Sequence, residues 1–524
     1  MRSIVFTYSS CPLPYLLSCS NELNVNEVLR IRSRTQICCQ NALFSSQATS
    51  SNPKPFESIP GLSSLPVIGA LHHFLPVIGT IGPKADMLEI SKILYEKYGS
   101  VVKLEGIFAR ASMVFLYKPE DFDQVYRSED VLPSRPGFQS LEYYQTKMRK
   151  SIYGEVRGLT SAEGPQWRDF RTKVNPTFLK IKLVKLYEPA LDQIAQDMVV
   201  RLLKLKEDSN YLQNNFDLEM TKYSLESIGL IGLGTRLGCL EDDLSPEHPA
   251  RQLMTCTKDF IDVSFKLEFG PSLWKYYSTS NFKKLVKTLD LQWDKRYIDE
   301  AKTKIKERGY EVPEEDKSII EKLLAIDEKV AIMMSNEMLM AGIDTVAFAL
   351  IGLLYNLAVN QSAQDKLREE IRAPEQSTRY LKACLKESLR LFPVLQANLR
   401  RTTKEHIVSN YVIPKGVDVI APHEFLSLLE KYYPRATEFI PERWLVDKTD
   451  PLYYGNAHPM VTLPFGFGIR MCIGRRIAEL EIETLVKRFL TEMKITWEGP
   501  PAKTVTKVMN SFVKPYHFKF EPIK

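Results

Sequence analysis

Phe465 to Glu479 reads FGFGIRMCIGRRIAE, with a single cysteine, Cys472, set among glycines just ahead of a helical pattern. Gly466 and Gly468 precede the cysteine and Gly474 follows it, so the backbone is free to turn tightly and approach something large and flat. From Arg475 onward Ile477, Leu480, Ile482, Leu485, Val486, Phe489, Leu490 and Met493 recur at helical spacing. The pattern predicts Cys472 at the N-terminal end of an amphipathic helix. There the helix dipole and free N–H groups favour the thiolate, and Arg470, Arg475 and Arg476 add positive charge.

A thiolate with no second Cys or His nearby cannot close a zinc site, which takes four protein ligands, or an iron–sulfur cluster, which usually takes four cysteines. Haem takes a single thiolate. On the residues alone, the competing reading is a buried structural cysteine at a helix start. The array Phe465, Gly468, Arg470, Cys472 and Gly474 resembles the haem-binding loop of the cytochrome P450 family, with every fixed position of the family pattern filled. The resemblance implies a mainly α fold with small β-sheets (α+β). Haem b would lie between a long central helix and the helix after the Cys loop, with Cys472 as the axial ligand of its iron.

Working outward, the 524 residues and 44% hydrophobic content would allow about three domains. No Gly/Ser linker or long charge block follows the first 60 residues, so 53–524 reads as a single catalytic domain. With 70 basic and 64 acidic residues interspersed, the net charge of +6 does not imply nucleic acid. The cysteines at 11, 19, 38, 39, 239, 256, 384 and 472 form no spaced framework, which points to a reducing compartment.

Residues 1–52 are Ser-rich, carry Arg2, Arg30, Arg32 and Arg34, and include only Glu22 and Glu27 as acids. They lack a run of ~18 apolar residues, and the composition reads as a mitochondrial transit peptide. A disordered tail, or a secretory signal over Ile4–Cys19, is the alternative. PKPFESIPG at 53–61 resembles the start of the mature domain in the mitochondrial branch, with Leu62 where that branch usually has Pro. A duplicated LPVIG, at Leu65 and Leu75, flanks His72 and His73, which read as a surface turn rather than a metal site.

In GPQWRDFR, Trp167 and Arg171 are spaced to share one face of a short helix ending before Asn175-Pro176, and an indole N–H with a guanidinium makes a carboxylate clamp. By resemblance, Trp167, Arg171, Arg400 and Arg470 hold the haem propionates. Residues 181–310 are amphipathic and quiet, and the resemblance makes them the roof of the substrate pocket. Phe260, Phe265, Phe269, Trp274 and Tyr276 there read equally as core, membrane-facing or pocket residues.

A nearly all-apolar helix is predicted from about Val330 to Asn360, buried rather than membrane-spanning because its longest apolar run, Val346–Tyr355, is short. Within it, AGIDT places Ala341 and Gly342 one turn before Thr345. Small side chains leave a hollow there, and the Thr hydroxyl competes for a carbonyl three or four residues back. A helix crossing explains the small residues equally well. The resemblance makes Ala341 and Gly342 cofactor-facing and Asp344 and Thr345 the pair that delivers protons during oxygen activation.

Glu387 and Arg390 lie one turn apart, and Arg443 in PERW supplies a third member of a buried, structural charge network. After Pro393, short β-type runs appear at 407–408, 411–413 and 417–420, with IPKG a turn between two of them. Lys382 and Lys386 share a helix face away from Glu387, and with Arg475 and Arg476 they offer an acidic partner a basic patch. The resemblance identifies that partner as an adrenodoxin-type ferredoxin with its NADPH-dependent reductase. It implies a mitochondrial enzyme, peripheral on the matrix side of the inner membrane, that hydroxylates a sterol-like or xenobiotic lipophile with O2. A microsomal enzyme fed by a diflavin reductase, a haem-thiolate isomerase and a non-catalytic haem protein are the alternatives.

Overall fold

The computed structural model describes residues 52–523 except 67, 77–78, 83–84, 106–110, 130, 207, 243, 271, 293–295, 311 and 376. The leader and its four cysteines lie outside the described residues. The described elements belong to one unit, Lys54–Lys524.

The architecture is built on the central helix Glu328–Val359, started by Asp327, whose carboxylate accepts the Lys329 N–H at 2.7 Å. This helix is long and apolar enough to cross a membrane, but 72% of its most apolar stretch is buried inside the protein, as expected of a helix apolar all round. Along it runs the helix Ser209–Leu233, and the helices Ile319–Ile326, Arg379–Leu391 and Arg475–Glu492 also pack on it. Small residues set how closely the first pair approach. A Cβ at Gly232 would lie 3.1 Å from Met338 Cε, and one at Gly342 would lie 2.9 Å from Ile228 Cγ1.

Trp167 and Arg171 lie on the helix Gly164–Leu179, which does not stop before Asn175-Pro176 as expected but continues through Pro176. Burial of Val174, Thr177 and Phe178 on the following turn outweighs the bond that Pro cannot make. In the quiet region, Phe260 and Trp274 are core residues, Phe265 is exposed and Tyr276 is 84% exposed; the side chain of Phe269 lies outside the described set.

The strands are β1 (Val101–Leu104), β2 (Met113–Leu116), β3 (Asn398–Arg401), β4 (His406–Val408), β5 (Tyr411–Ile413), β6 (Asp418–Ala421), β7 (Met493–Trp497), β8 (Thr504–Thr506), β9 (Asn510–Phe512) and β10 (Phe518–Pro522). They form a four-stranded sheet in the order β1-β2-β6-β3 and three two-stranded pieces. IPKG does connect two strands, but they do not pair: β5 pairs with β4, whereas β6 pairs with β2 and β3. The turn hands the chain from one sheet to another. The β4–β5 hairpin turns instead at Ser409 and Asn410, both at positive φ (46° and 64°). A second core wraps the four-stranded sheet, with Leu94, Val102, Val114, Tyr117 and Phe122 fully enclosed.

Glu387 sits where helix Arg379–Leu391 meets the PERW turn. Its carboxylate accepts from Arg390 at 2.8 and 3.0 Å, Arg443 at 2.8 Å, the Trp444 indole at 2.9 Å and the Ile440 N–H at 3.2 Å. All three charged side chains are 0% exposed. Arg390 spends its remaining N–H groups on the carbonyls of Ser427, Ala436 and Glu438. Trp444 was not anticipated as a member. Glu387→Ala should cost about 3–5 kcal/mol in urea unfolding, because it strands two buried guanidiniums. A loss below about 1 kcal/mol would mean that the carbonyls alone satisfy them.

Candidate active site

The Cys loop is drawn into a tight turn by the Cys472 N–H, which donates to Phe465 O at 2.9 Å, and by the Gly466 N–H, which donates to Leu463 O at 3.0 Å. Gly466 and Gly468 take φ of +74° and +67°, which L side chains resist. Gly474 differs: at φ −82° it heads the helix Arg475–Glu492, and a Cβ there would face Cys472 Sγ at 4.0 Å. Neither its backbone nor that contact requires glycine here.

Cys472 keeps accessible surface, yet protein surrounds it so closely that burial pushes its thiol up. Both hold for a side chain that lines an internal hollow. The N–H groups of Gly474 and Arg475 and the charges of Arg171 and Arg135 pull the thiol back down, without outweighing burial. The expectation that Arg470, Arg475 and Arg476 would favour the thiolate is corrected accordingly. Arg475 turns to Glu479 (2.8 Å) and to the Phe465 ring (5.3 Å), Arg476 points outward, and Arg470 turns to the helix carrying Trp167.

The four residues expected as a carboxylate clamp are buried, at 2% (Trp167), 8% (Arg171), 3% (Arg400) and 5% (Arg470) exposure. The Arg470 guanidinium lies 3.8 Å from the Trp167 ring centroid and donates to Ala162 O at 3.1 and 3.2 Å and to Pro133 O at 3.2 Å. Arg400, on β3, packs over Tyr126 at 4.9 Å, pairs with Glu129 at 3.1 Å and donates to Phe467 O at 3.1 Å. Arg171 Nε is buried without a partner.

A fourth guanidinium, Arg135, joins them unforeseen. In SRPG it reads as a loop residue with no periodicity, and only its place beside Pro136 marks it. Arg401 N–H binds Ser134 O at 2.9 Å, which pins the loop to β3 and so delivers Arg135 to the site. These charges feel one another: burial, then Arg135, with Arg400 and Arg171 adding and Glu163 opposing, pushes Arg470 down to about 9.

On the central helix, Thr345 Oγ1 donates to Ala341 O at 2.6 Å, the back-bond anticipated from sequence. Ala341 and Thr345 face the open side, but Gly342 does not: its missing side chain makes room for Ile228. The expected hollow is thus formed by Ala341, and Gly342 serves the helix crossing. Burial pushes the Asp344 carboxyl up to about 6, with Lys258 lowering and Asp217 raising it. His72 and His73 are tied to Ser63 Oγ at 3.2 and 2.9 Å, and His73 to Thr80 at 2.7 Å; the turn expected there is hydrogen-bonded, but His73 is buried rather than on the surface.

A soft sulfur facing a hollow, an orphaned guanidinium N–H and more buried cations than carboxylates fit a flat, thiolate-ligated group carrying two acids, which is haem. The fold and site therefore define a haem-thiolate protein. The comparisons agree. A family model described as Cytochrome P450 matches residues 60–520. The chain is 36% identical over 493 residues (90% of each chain) to "Probable cytochrome P450 12b2, mitochondrial" of Drosophila melanogaster. It is 36% identical to "Cytochrome P450 12b1, mitochondrial" of Drosophila acanthoptera (85% of each chain). Against "Cytochrome P450 CYP12A2" of Musca domestica identity is 34%, over 90% of this chain and 91% of that one. The chain belongs to the cytochrome P450 family: it is a monooxygenase whose cofactor is haem b.

Cys472→His should abolish the red-shifted Soret band of the ferrous–CO complex even where haem is retained, as read by difference spectroscopy. A variant that kept the band would place the ligand elsewhere.

Proposed function

We propose that this monooxygenase works in mitochondria, on the matrix side of the inner membrane. It hydroxylates an apolar, sterol-like or xenobiotic molecule, drawing electrons from NADPH through a ferredoxin reductase and an adrenodoxin-type ferredoxin. One atom of O2 enters the substrate as hydroxyl and the other leaves as water.

The observation that carries the reading is the position of Lys382 and Lys386, exposed together on one face of helix Arg379–Leu391. Lys386 Nζ lies 5.6 Å from the Trp444 ring, and the charge of Lys382 reaches Glu483 on the helix that begins at the Cys loop. A cationic face electrostatically coupled to the helix that follows that loop suits a small acidic electron carrier. Arg476 is exposed and extends this face, while Arg475 is partly engaged by Glu479. Relatives named mitochondrial support the compartment. For peripheral membrane contact, Leu273, Tyr276 and Tyr277 project outward around exposed Lys275, an apolar tip with a cation beside it.

Haem bound through Cys472 supplies the oxygen-activating chemistry. The protein's share is to orient and to move protons. Trp167, Arg171, Arg400 and Arg470, joined by Arg135, hold the carboxylates of the cofactor in a water-poor wall. Thr345 Oγ1, committed to Ala341 O as a donor, still has lone pairs to accept from a water at the open side. The Asp344 carboxyl, raised to about 6, keeps a minor protonated fraction at neutral pH and is electrostatically coupled to exposed Lys258 and half-exposed Asp217, a route from the helix to solvent.

Replacing Lys382 and Lys386 together by Glu should raise the ferredoxin concentration needed for half-maximal ferrous–CO formation about tenfold and flatten its salt dependence. A wild-type enzyme reduced only by a diflavin reductase would reject the partner and compartment while leaving the monooxygenase intact. Because the Asp344 carboxyl is raised to about 6, it is protonated below that pH and increasingly ionised above it. Product formed per O2 should therefore fall as pH rises from 6 to 8. Asp344→Asn should remove that dependence; a variant with the wild-type profile would take Asp344 out of the proton route.

A further inference from the structure

Glu337 lies two helical turns before Thr345 on the central helix, is 4% exposed, and has no part in the proton route just described. Its carboxylate accepts two adjacent backbone N–H groups, Leu159 at 2.7 Å on Oε2 and Thr160 at 2.9 Å on Oε1, with the Thr160 side chain and the charge of Arg135 also acting on it. Gly158 makes this approach possible, because a Cβ there would lie 2.2 Å from Oε1. The held segment is itself a closed turn, the Ala162 N–H donating to Gly158 O at 3.2 Å. Ser161 Oγ donates to Gln145 Oε1 at 2.8 Å, and Gln145 Nε2 reaches Met333 Sδ at 3.5 Å, one turn before Glu337 on the same helix. At its far end the segment presents Ala162 O to both terminal nitrogens of Arg470, two residues before Cys472.

Five consecutive residues thus join the helix on one side of the site to the loop carrying the sulfur on the other, with a buried charge at one end and a buried guanidinium at the other. We propose that Glu337 is a positioning residue: it fixes the strap Gly158–Ala162 and, through it, Arg470, and so sets the spacing between the central helix and the Cys472 loop. The proposal rests on the haem-thiolate assignment and adds to it a residue that touches neither cofactor nor substrate. A carboxylate suits this role because only an ionised group accepts two adjacent N–H donors without offering one back. Glutamine keeps one acceptor and turns an N–H toward an N–H.

The test uses the holoenzyme and follows two readouts: the rate at which the red-shifted ferrous–CO band decays, and amide exchange at Leu159, Thr160 and Cys472. Glu337→Gln should accelerate band decay about tenfold, the loss expected for one charge-assisted hydrogen bond, and should speed exchange at all three amides. Arg470→Lys should accelerate decay similarly. The double variant should decay no faster than the faster single one, because both cut the same connection. Multiplying rates in the double variant would overturn the proposal. So would faster exchange at Leu159 and Thr160 with wild-type band decay, the signature of a locally structural carboxylate. Should the Glu337 variants not fold, Gly158→Ala keeps the charge and drives the carboxylate off the strap. It should reproduce the fast decay, and a wild-type rate would overturn the proposal equally.

Discussion

The buried Glu387 carboxylate is the constraint on which the Cys-loop side of the molecule depends. A charge removed from water is tolerated only with every lone pair engaged, and here those partners come from its own helix, from the PERW turn and from the chain between them. Satisfying one carboxylate therefore fixes where helix Arg379–Leu391 stands against a long irregular stretch that has few ladders of its own. Arg390 extends the effect by anchoring carbonyls from Ser427 to Glu438. Helix Arg379–Leu391, the PERW turn and the chain from Ser427 to Ile440 then have one mutual arrangement, and the lysines on the outer face of the same helix inherit it.

Around the sulfur the electrostatics run the other way. The guanidiniums of Arg135, Arg171, Arg400 and Arg470 crowd one region, and Arg470 is driven down to about 9 by burial and by its like-charged neighbours. Partial relief comes from stacking on aromatic faces, Arg470 on Trp167 and Arg400 on Tyr126, and from backbone carbonyls, which accept N–H without adding charge. Nature of the guest follows from what remains: an orphaned Arg171 Nε and an uncancelled positive field call for acids delivered from outside the chain.

Local patterns in the chain made much of this legible. The helix behind Cys472, the central helix, the Thr345 back-bond and the Glu387–Arg390 pair are each readable because spacing along a helix decides contact. What escaped depends on partners distant in sequence. Arg135 lies in a loop whose placement is decided by β3, more than 260 residues later. Gly342 is small on account of Ile228, a residue of another helix, so its neighbours in sequence were misleading. Pro176 reads as a stop in sequence, but a core that buries Phe178 carries the helix on. Trp444, adjacent to Arg443, gave no sign that its indole would complete the Glu387 shell.

The raised thiol of Cys472 bears on how the cofactor is acquired. The N–H groups and arginines around the sulfur are insufficient to offset burial, so the loop by itself does not supply a thiolate. Haem iron held by Cys472 would supply it, since a metal-bound thiol is deprotonated outright. The same guest would bring two carboxylates among the arginines and leave a negative sulfur under the charges of Arg171 and Arg135. Surplus cations and a protonated sulfur are thus two demands that one guest, carrying two carboxylates and a thiol-binding iron, would meet together.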